Sequence, residues 1–259
     1  MLLIGLKALI GLLVGTLVGL TGLGGGVLMM PLLIFGLGVP PLTAVGSDAV
    51  VNFVTKTGAG YLHARQRTVH WWLVGALALG SVPGAVLGVT LLGRLRALYG
   101  SRINDFLMVG IGALLIVIPI FLLLQKQAFE ISGATPAPGG RAKVLGPALI
   151  GLIAGFLVGM TSVGSGSVIM MLLLLFYGFR PAVLVGTDIV HAVLLTGIAS
   201  LMHWRLGTVD PVLVGSLLLG SIPGGLLGTR LGVRVPSGWL RVVLCLVLLA
   251  TGVRMLWAR

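Results

Sequence analysis

The chain has 259 residues, 58% of them hydrophobic and only 8% charged, where a soluble domain carries about 25% charged residues. Too few charged groups are present to coat a water-facing surface, and the mean hydropathy is +1.18. That balance excludes a soluble enzyme, a disordered chain and a collagen-like rod, and it predicts an integral membrane protein.

Lysine and arginine number 17 against 5 acidic residues, a net charge of +12. The cations fall in short gaps between apolar runs, as at Arg65/Arg67, Arg94/Arg96/Arg102, Arg141/Lys143 and Arg230/Arg234. Charges there set topology and touch lipid headgroups. No basic stripe with interleaved aromatics is present, so nucleic acid is not an expected partner. Cys245 is the single cysteine and sits in an apolar run. A disulfide or thiolate cluster within the chain is ruled out, and no metal or other cofactor is expected.

From the N-terminus, Met1–Leu20 is apolar with Lys7 inside it and lacks a small-x-small cleavage site, so it reads as a retained span. Between Lys7 and Asp48 no residue is charged, but the stretch is broken by Thr21-Gly22-Leu23-Gly24-Gly25-Gly26 and by Pro40-Pro41. A spanning helix needs roughly 20 apolar residues. Ala8–Thr21 and Val27–Leu37 fall short and predict two half-length helices joined at a glycine break. Ser47–His63 predicts a short polar helix. Trp71–Leu92, Phe106–Leu124, Val212–Leu231 and Val242–Val253 with its flanks predict ordinary spans.

The chain repeats itself. From Gly15 to Leu91, comparison with the residue 140 places later gives 33 identities in 77 positions, where chance predicts roughly a tenth, so the sequence reads as a duplication. Gly24-x-Gly26 matches Gly164-x-Gly166, Gly46-Ser47-Asp48 matches Gly186-Thr187-Asp188, His63-x-Arg65 matches His203-x-Arg205, and Gly80-Ser81-x-Pro83-Gly84 matches Gly220-Ser221-x-Pro223-Gly224. The expectation is an all-α integral membrane fold of two homologous helical bundles. Residues 1–124 form the first repeat, 125–146 an exposed linker containing Thr135-Pro136-Ala137-Pro138-Gly139-Gly140, and 147–259 the second repeat. Each half holds a glycine-broken pair of short helices plus about three spans. An odd number of crossings per half makes the halves inverted, and an even number makes them parallel; the expected arrangement is inverted.

At these motifs the sequence resembles the sulfite exporter TauE/SafE family of membrane transporters. The residues carrying the resemblance are Gly22-Leu23-Gly24-Gly25-Gly26 with Pro31, then Gly186-Thr187-Asp188-Ile189-Val190-His191-Ala192, His203, and Gly220-Ser221-Ile222-Pro223-Gly224. The resemblance implies a multi-pass permease of the cell (plasma or inner) membrane for sulfur-containing anions such as sulfite or sulfonates. The second glycine element departs from the first, reading Val163-Gly164-Ser165-Gly166-Ser167, so the two half-sites are expected to differ in polarity.

The residues themselves point to a solute site. Freed backbone groups at membrane depth are tolerated only where they line a cavity or are buried in protein, and paired breaks in a repeat mark a transporter's site. Helices starting near Val27 and Ser167 would aim free N–H groups and partial positive charge at the breaks, which favours a small anion. The candidate substrate residues are Thr21, Gly24, Gly25, Gly26, Asn52, Lys56, Thr161, Ser162, Gly164, Ser165, Gly166 and Ser167. The alternative is that the glycines serve only close helix packing.

Asp48, Asn52 and Lys56 fall on one helix face by their i, i+4, i+8 spacing. Asp48, Asp188 and His191 are candidates for coupling to protons, although either aspartate could equally cap a helix start. His63 and His203 are expected at the membrane interface, and Pro83 and Pro223 at kinks. The predicted function is a secondary permease of a small anion working by alternating access. An anion channel would use the same donors. An intramembrane enzyme is disfavoured, because no His-Glu-x-x-His, Gly-x-Ser-x-Gly or paired-carboxylate motif occurs. The expected partners are the small anion, membrane lipids and protons, and the sequence leaves open a homo-oligomer.

Overall fold

The computed structural model describes residues 2–21, 25–131, 142–176, 181–231 and 237–257. These form helices α1 (Leu2–Thr21), α2 (Gly25–Pro31), α3 (Pro41–Arg65), α4 (Trp71–Tyr99), α5 (Ile103–Ile131), α6 (Ala142–Thr161), α7 (Ser167–Phe176), α8 (Pro181–Leu206), α9 (Pro211–Leu231) and α10 (Ser237–Trp257). Past Pro31 the α2 helix continues as a π-helical stretch, Leu32–Gly36. Among the described residues there is no strand, and four helical stretches are long and apolar enough to cross a bilayer. Large apolar side chains such as Leu9, Leu79, Leu87 and Leu219 face outward, the exterior that hydrocarbon requires.

Prolines and side-chain caps set the helix starts. Pro41, Pro181 and Pro211 open α3, α8 and α9, where a missing N–H costs nothing and φ is already helical. Asn104 of α5 reaches across to accept the Leu42 N–H at 3.1 Å, satisfying an end that Pro40 cannot cap. His70 Nδ1 accepts from Leu73 N–H at the start of α4. At the corresponding start of α9, Asp210 Oδ1 accepts from Val212 and Leu213 N–H at 2.9 and 3.0 Å.

Several expected boundaries are corrected. The first helix is not half-length: α1 runs 20 residues from Leu2, because Lys7 is tolerated near a helix end. The polar helix expected over Ser47–His63 begins at Pro41 and is 25 residues long. Asp48 and Asp188 therefore lie inside helices and cap nothing. Helix also occupies both ends of the stretch 125–146, up to Ile131 and again from Ala142, and the residues between lie outside those described.

The most extensive helix contacts join the two halves of the sequence, so the halves interlock rather than stand side by side as two bundles. Small residues make this possible by letting backbones touch. Along α1 and α9, a Cβ at Gly11 would strike the Leu217 carbonyl and one at Gly15 the Ser221 carbonyl, while Gly220 and Gly224 lie against Ala8 and Leu12. Along α4 and α6, Gly80, Gly84 and Gly88 meet Ala148, Leu152 and Phe156, and Gly151, Gly155 and Gly159 meet Leu77, Ser81 and Ala85. Residue numbers rise together along both seams, so each pair runs parallel. The central pair α3–α8 is antiparallel, with Gly60 against Val193 and Gly197 against Phe53. So is α5–α10, where Gly112 meets Leu256 and Gly252 meets Ile116.

Candidate functional site

Both breaks converge on α3. Gly25 and Gly26 open α2, and both are buried. A Cβ at Gly25 would lie 2.6 Å from Asn52 Oδ1, and one at Gly26 would lie 2.9 Å from Asp48 Oδ2 and against the Ser162 carbonyl. Only glycine allows the polar stripe of α3 to approach this helix end so closely. Gly24, with Gly22 and Leu23, lies outside the described residues; Thr21 is the last residue of α1.

The second break, residues 162–166, is a tight turn between α6 and α7. Ser162 takes φ +56° and Gly164 φ +101°. The first is a left-handed conformation that a serine holds only when its surroundings insist. The constraint is visible: Ser162 Oγ donates to Asp48 Oδ2 at 2.8 Å, and its N–H donates to the Val158 carbonyl at 2.8 Å. The Gly164 and Gly166 carbonyls accept from Val168 and Met170 N–H as α7 begins.

Asp48, Asn52 and Lys56 do share one face of α3. Asn52 Nδ2 donates to Asp48 Oδ2 at 2.8 Å and to the Asp48 carbonyl at 3.1 Å. Lys56 Nζ donates to both the carbonyl and the hydroxyl of Ser165 at 2.7 Å. Lys56 is half-buried and, instead of snorkelling to the membrane surface, ties the first half of the chain to the second break. Asp188, on α8, lies within electrostatic reach of the same ammonium. Several polar atoms here are buried without a partner: Asp48 Oδ1, Ser167 Oγ, Asp188 Oδ1 and His191 Nδ1. Unsatisfied groups of this kind are scarce in folded proteins.

Two expected residues bond elsewhere than to the polar stripe of α3. Thr161 turns inward on its own helix, donating to the Leu157 carbonyl at 2.7 Å and accepting from Val163 N–H at 3.2 Å, so it trims the end of α6. His191 points to α4, with its Nε2 2.7 Å from Ser81 Oγ. That serine was legible only as part of a repeated Gly-Ser-x-Pro-Gly motif. The pair is not a hydrolytic dyad completed by an acid, since Nδ1 has no partner to orient it. Among the described residues no group of three or more His, Cys, Asp or Glu could hold a metal.

His203 lies in the last turn of α8. It is fully buried, with Nε2 3.0 Å from the Gly159 carbonyl and Nδ1 3.0 Å from Thr208 Oγ1. A carbonyl can only accept, so Nε2 carries the proton, and in the neutral ring Nδ1 accepts from the threonine. His63 keeps the matching threonine contact, 2.9 Å to Thr68 Oγ1, but among the described residues makes no bond to α1. The connector after α8 presses Thr208 on Gly46, and the connector after α3 presses Thr68 on Gly186. Ser47 Oγ accepts the Asp210 N–H and Thr187 Oγ1 accepts the His70 N–H, each at 3.0 Å. The hydroxyls beside the aspartates thus fasten the opposite half's connector.

No solved structure matches the chain. A probable membrane transporter protein of Bacillus subtilis, YjnA, is 36% identical over 256 residues, covering 96% of this chain and 98% of the relative. A second from the same organism, YunE, is 26% identical over 96% of this chain and 95% of its own length. A probable membrane transporter protein of Xylella fastidiosa is 26% identical over 95% of this chain and 92% of its own. The family model for the sulfite exporter TauE/SafE matches residues 7–255. With polar breaks held inside an apolar, many-helix exterior and relatives aligned end to end, the chain belongs to the TauE/SafE family of multi-pass membrane transporters.

Proposed function

We propose that this protein is a secondary permease for a small oxyanion, sulfite or an organosulfonate, with its site between the two breaks. The observation that carries this reading is Lys56. It is an intramembrane cation, supplied by α3 and bonded to Ser165 of the opposite half. Intramembrane charges are costly and concentrate on solute pathways.

An asymmetry between matched helices supports alternating access. On α8, Leu195, Thr196, Ala199 and His203 are all fully buried. Their counterparts on α3, Thr55, Lys56, Ala59 and His63, are each partly exposed. His203 latches α8 to α6 through Gly159, and among the described residues His63 has no such bond to α1. The site is thus approached along α3 and sealed along α8, and exchange of the two arrangements would move solute across. The rigid bodies of that exchange are the glycine-zipped pairs α1–α9 and α4–α6, each drawn from both halves. Antiparallel packing of matched helices, α3 with α8 and α5 with α10, supports inverted halves related by an axis in the membrane plane. Asp48, Asp188 and His191 serve proton coupling.

The test is uptake of radiolabelled sulfite and methanesulfonate by proteoliposomes, with and without an imposed pH gradient. Saturable uptake that rises against a concentration gradient when the pH gradient is applied supports a coupled permease. Linear, purely downhill flux points to a channel.

A further inference from the structure

The third helix of each half carries a histidine on the same mounting. Thr68 Oγ1 lies 2.9 Å from His63 Nδ1, and Thr208 Oγ1 lies 3.0 Å from His203 Nδ1. Each hydroxyl is also 3.1 Å from its histidine's own carbonyl. Both threonines are pressed against a glycine of the opposite half, Thr68 on Gly186 and Thr208 on Gly46. The two rings therefore sit on matched supports, and what differs is the far nitrogen. His203 Nε2 donates to the Gly159 carbonyl at 3.0 Å, and among the described residues His63 Nε2 has no such bond.

The second break explains why that carbonyl is available. A helix end leaves its last four carbonyls without intrahelical donors. In a continuing α6 the Gly159 carbonyl would accept from Val163 N–H, but that N–H donates to Thr161 Oγ1 at 3.2 Å. His203 supplies the donor that the broken helix has lost, at a depth where a bare carbonyl is costly. The first half repeats the parts. α1 ends at Thr21, which matches Thr161, and Gly19 matches Gly159. The Gly19 carbonyl is likewise among the last four of a helix that enters a break, and His63 is the match of the residue that caps the other one.

We propose that His63 and His203 are alternating latches: each caps the carbonyl at the end of the helix entering its own half's break, Gly19 or Gly159, and only one cap is closed at a time. The inference rests on the permease reading above and names the gate of that site. With His203 closed, α8 is sealed against α6 while α3 is open. In the other arrangement His63 Nε2 donates to the Gly19 carbonyl, Thr68 donates to Nδ1, and His203 leaves Gly159. The threonine contacts on Gly46 and Gly186 persist in both arrangements and serve as the pivots.

The test is labelling of single cysteines, Ala59→Cys on α3 or Ala199→Cys on α8, by a soluble maleimide, using the full chain in nanodiscs with Cys245→Ser as background. His203→Ala weakens the present arrangement and should raise the rate at position 199 about fivefold, the worth of one neutral hydrogen bond. His63→Ala weakens the other arrangement and should lower the rate at 199 by a similar factor, although it alters a different helix. The double variant should return to the wild-type ratio of the two rates. His63→Gln, whose amide replaces the Nε2 donor, should label as the wild type does. If His203→Ala does not fold, His63→Ala and His63→Gln decide the point, since His63 is only half-buried. An unchanged rate at 199 in His63→Ala, or effects confined to each histidine's own helix, overturns the exchange and leaves the permease reading standing. The expected labelling in a chain that takes up neither sulfite nor methanesulfonate overturns the permease reading and leaves the latches.

Discussion

The α4–α6 seam offers a direct test of how this protein is held together. A Cβ placed on Gly88 would sit 2.5 Å from the Phe156 carbonyl oxygen and 3.3 Å from Met160 N, whereas one on Gly75, earlier on the same helix, meets nothing within 4 Å. Gly88→Ala therefore forces the helices apart by roughly 1 Å, and a gap of that size forfeits a quarter to a half of each dispersion contact. Overpacking of this kind costs about 1–3 kcal/mol. Alanine's better helix propensity returns up to about 1 kcal/mol, leaving a net destabilisation of about 1–2 kcal/mol. Gly75→Ala keeps only the propensity gain and should be neutral or slightly stabilising. Unfolding in mixed micelles with increasing dodecyl sulfate, followed by tryptophan fluorescence, reads both variants against the parent. Equal midpoints for Gly88→Ala and the wild type would refute the claim that direct backbone contact holds this seam.

Other consequences follow from the site. Asp48→Ala leaves the Ser162 hydroxyl without its acceptor and removes the restraint on a left-handed serine; a loss of about 3–5 kcal/mol is expected from breaking a buried charged network, read in the same unfolding assay, and Asp48→Asn should recover part of it. Lys56→Gln should cut proteoliposome sulfite flux at least tenfold while insertion stays normal; wild-type flux would remove Lys56 from the pathway. His203→Ala should release α8 from Gly159, so that cysteines placed at positions 59 and 199 become more equal in their labelling by a soluble maleimide. The wild-type background should label position 59 much faster, and equal labelling there would deny the asymmetry. Ser81→Ala should weaken transport more than stability, because it frees His191 Nε2 without opening a large cavity.

Much of the fold could be read from the chain, because the signals were strong and local. Long apolar runs and glycine punctuation announced an all-helical membrane protein. Helix starts were harder: Asp48 and Asp188 looked like caps because glycine precedes them, yet Pro41 and Pro181 begin the helices earlier. In the site, the i, i+4, i+8 spacing correctly put Asp48, Asn52 and Lys56 on one face. Their partners were not legible, since Ser162 and Ser165 lie more than a hundred residues away and carry no local sign of the contact. Thr161 shows the converse, a hydroxyl of the right type in the right motif that bonds its own helix.

Composition alone decided the solvent of this protein, because 8% charge cannot clothe a water-soluble surface, and a residue-by-residue repeat raised the expectation that similar elements occur twice. Tertiary structure decided which elements meet. Glycine seams join helices across the halves, and α3 sets a carboxylate between the two breaks and an ammonium on the second. Those outcomes depend on long-range packing, in which matched stretches of sequence end in unlike surroundings once a single lysine lacks a twin.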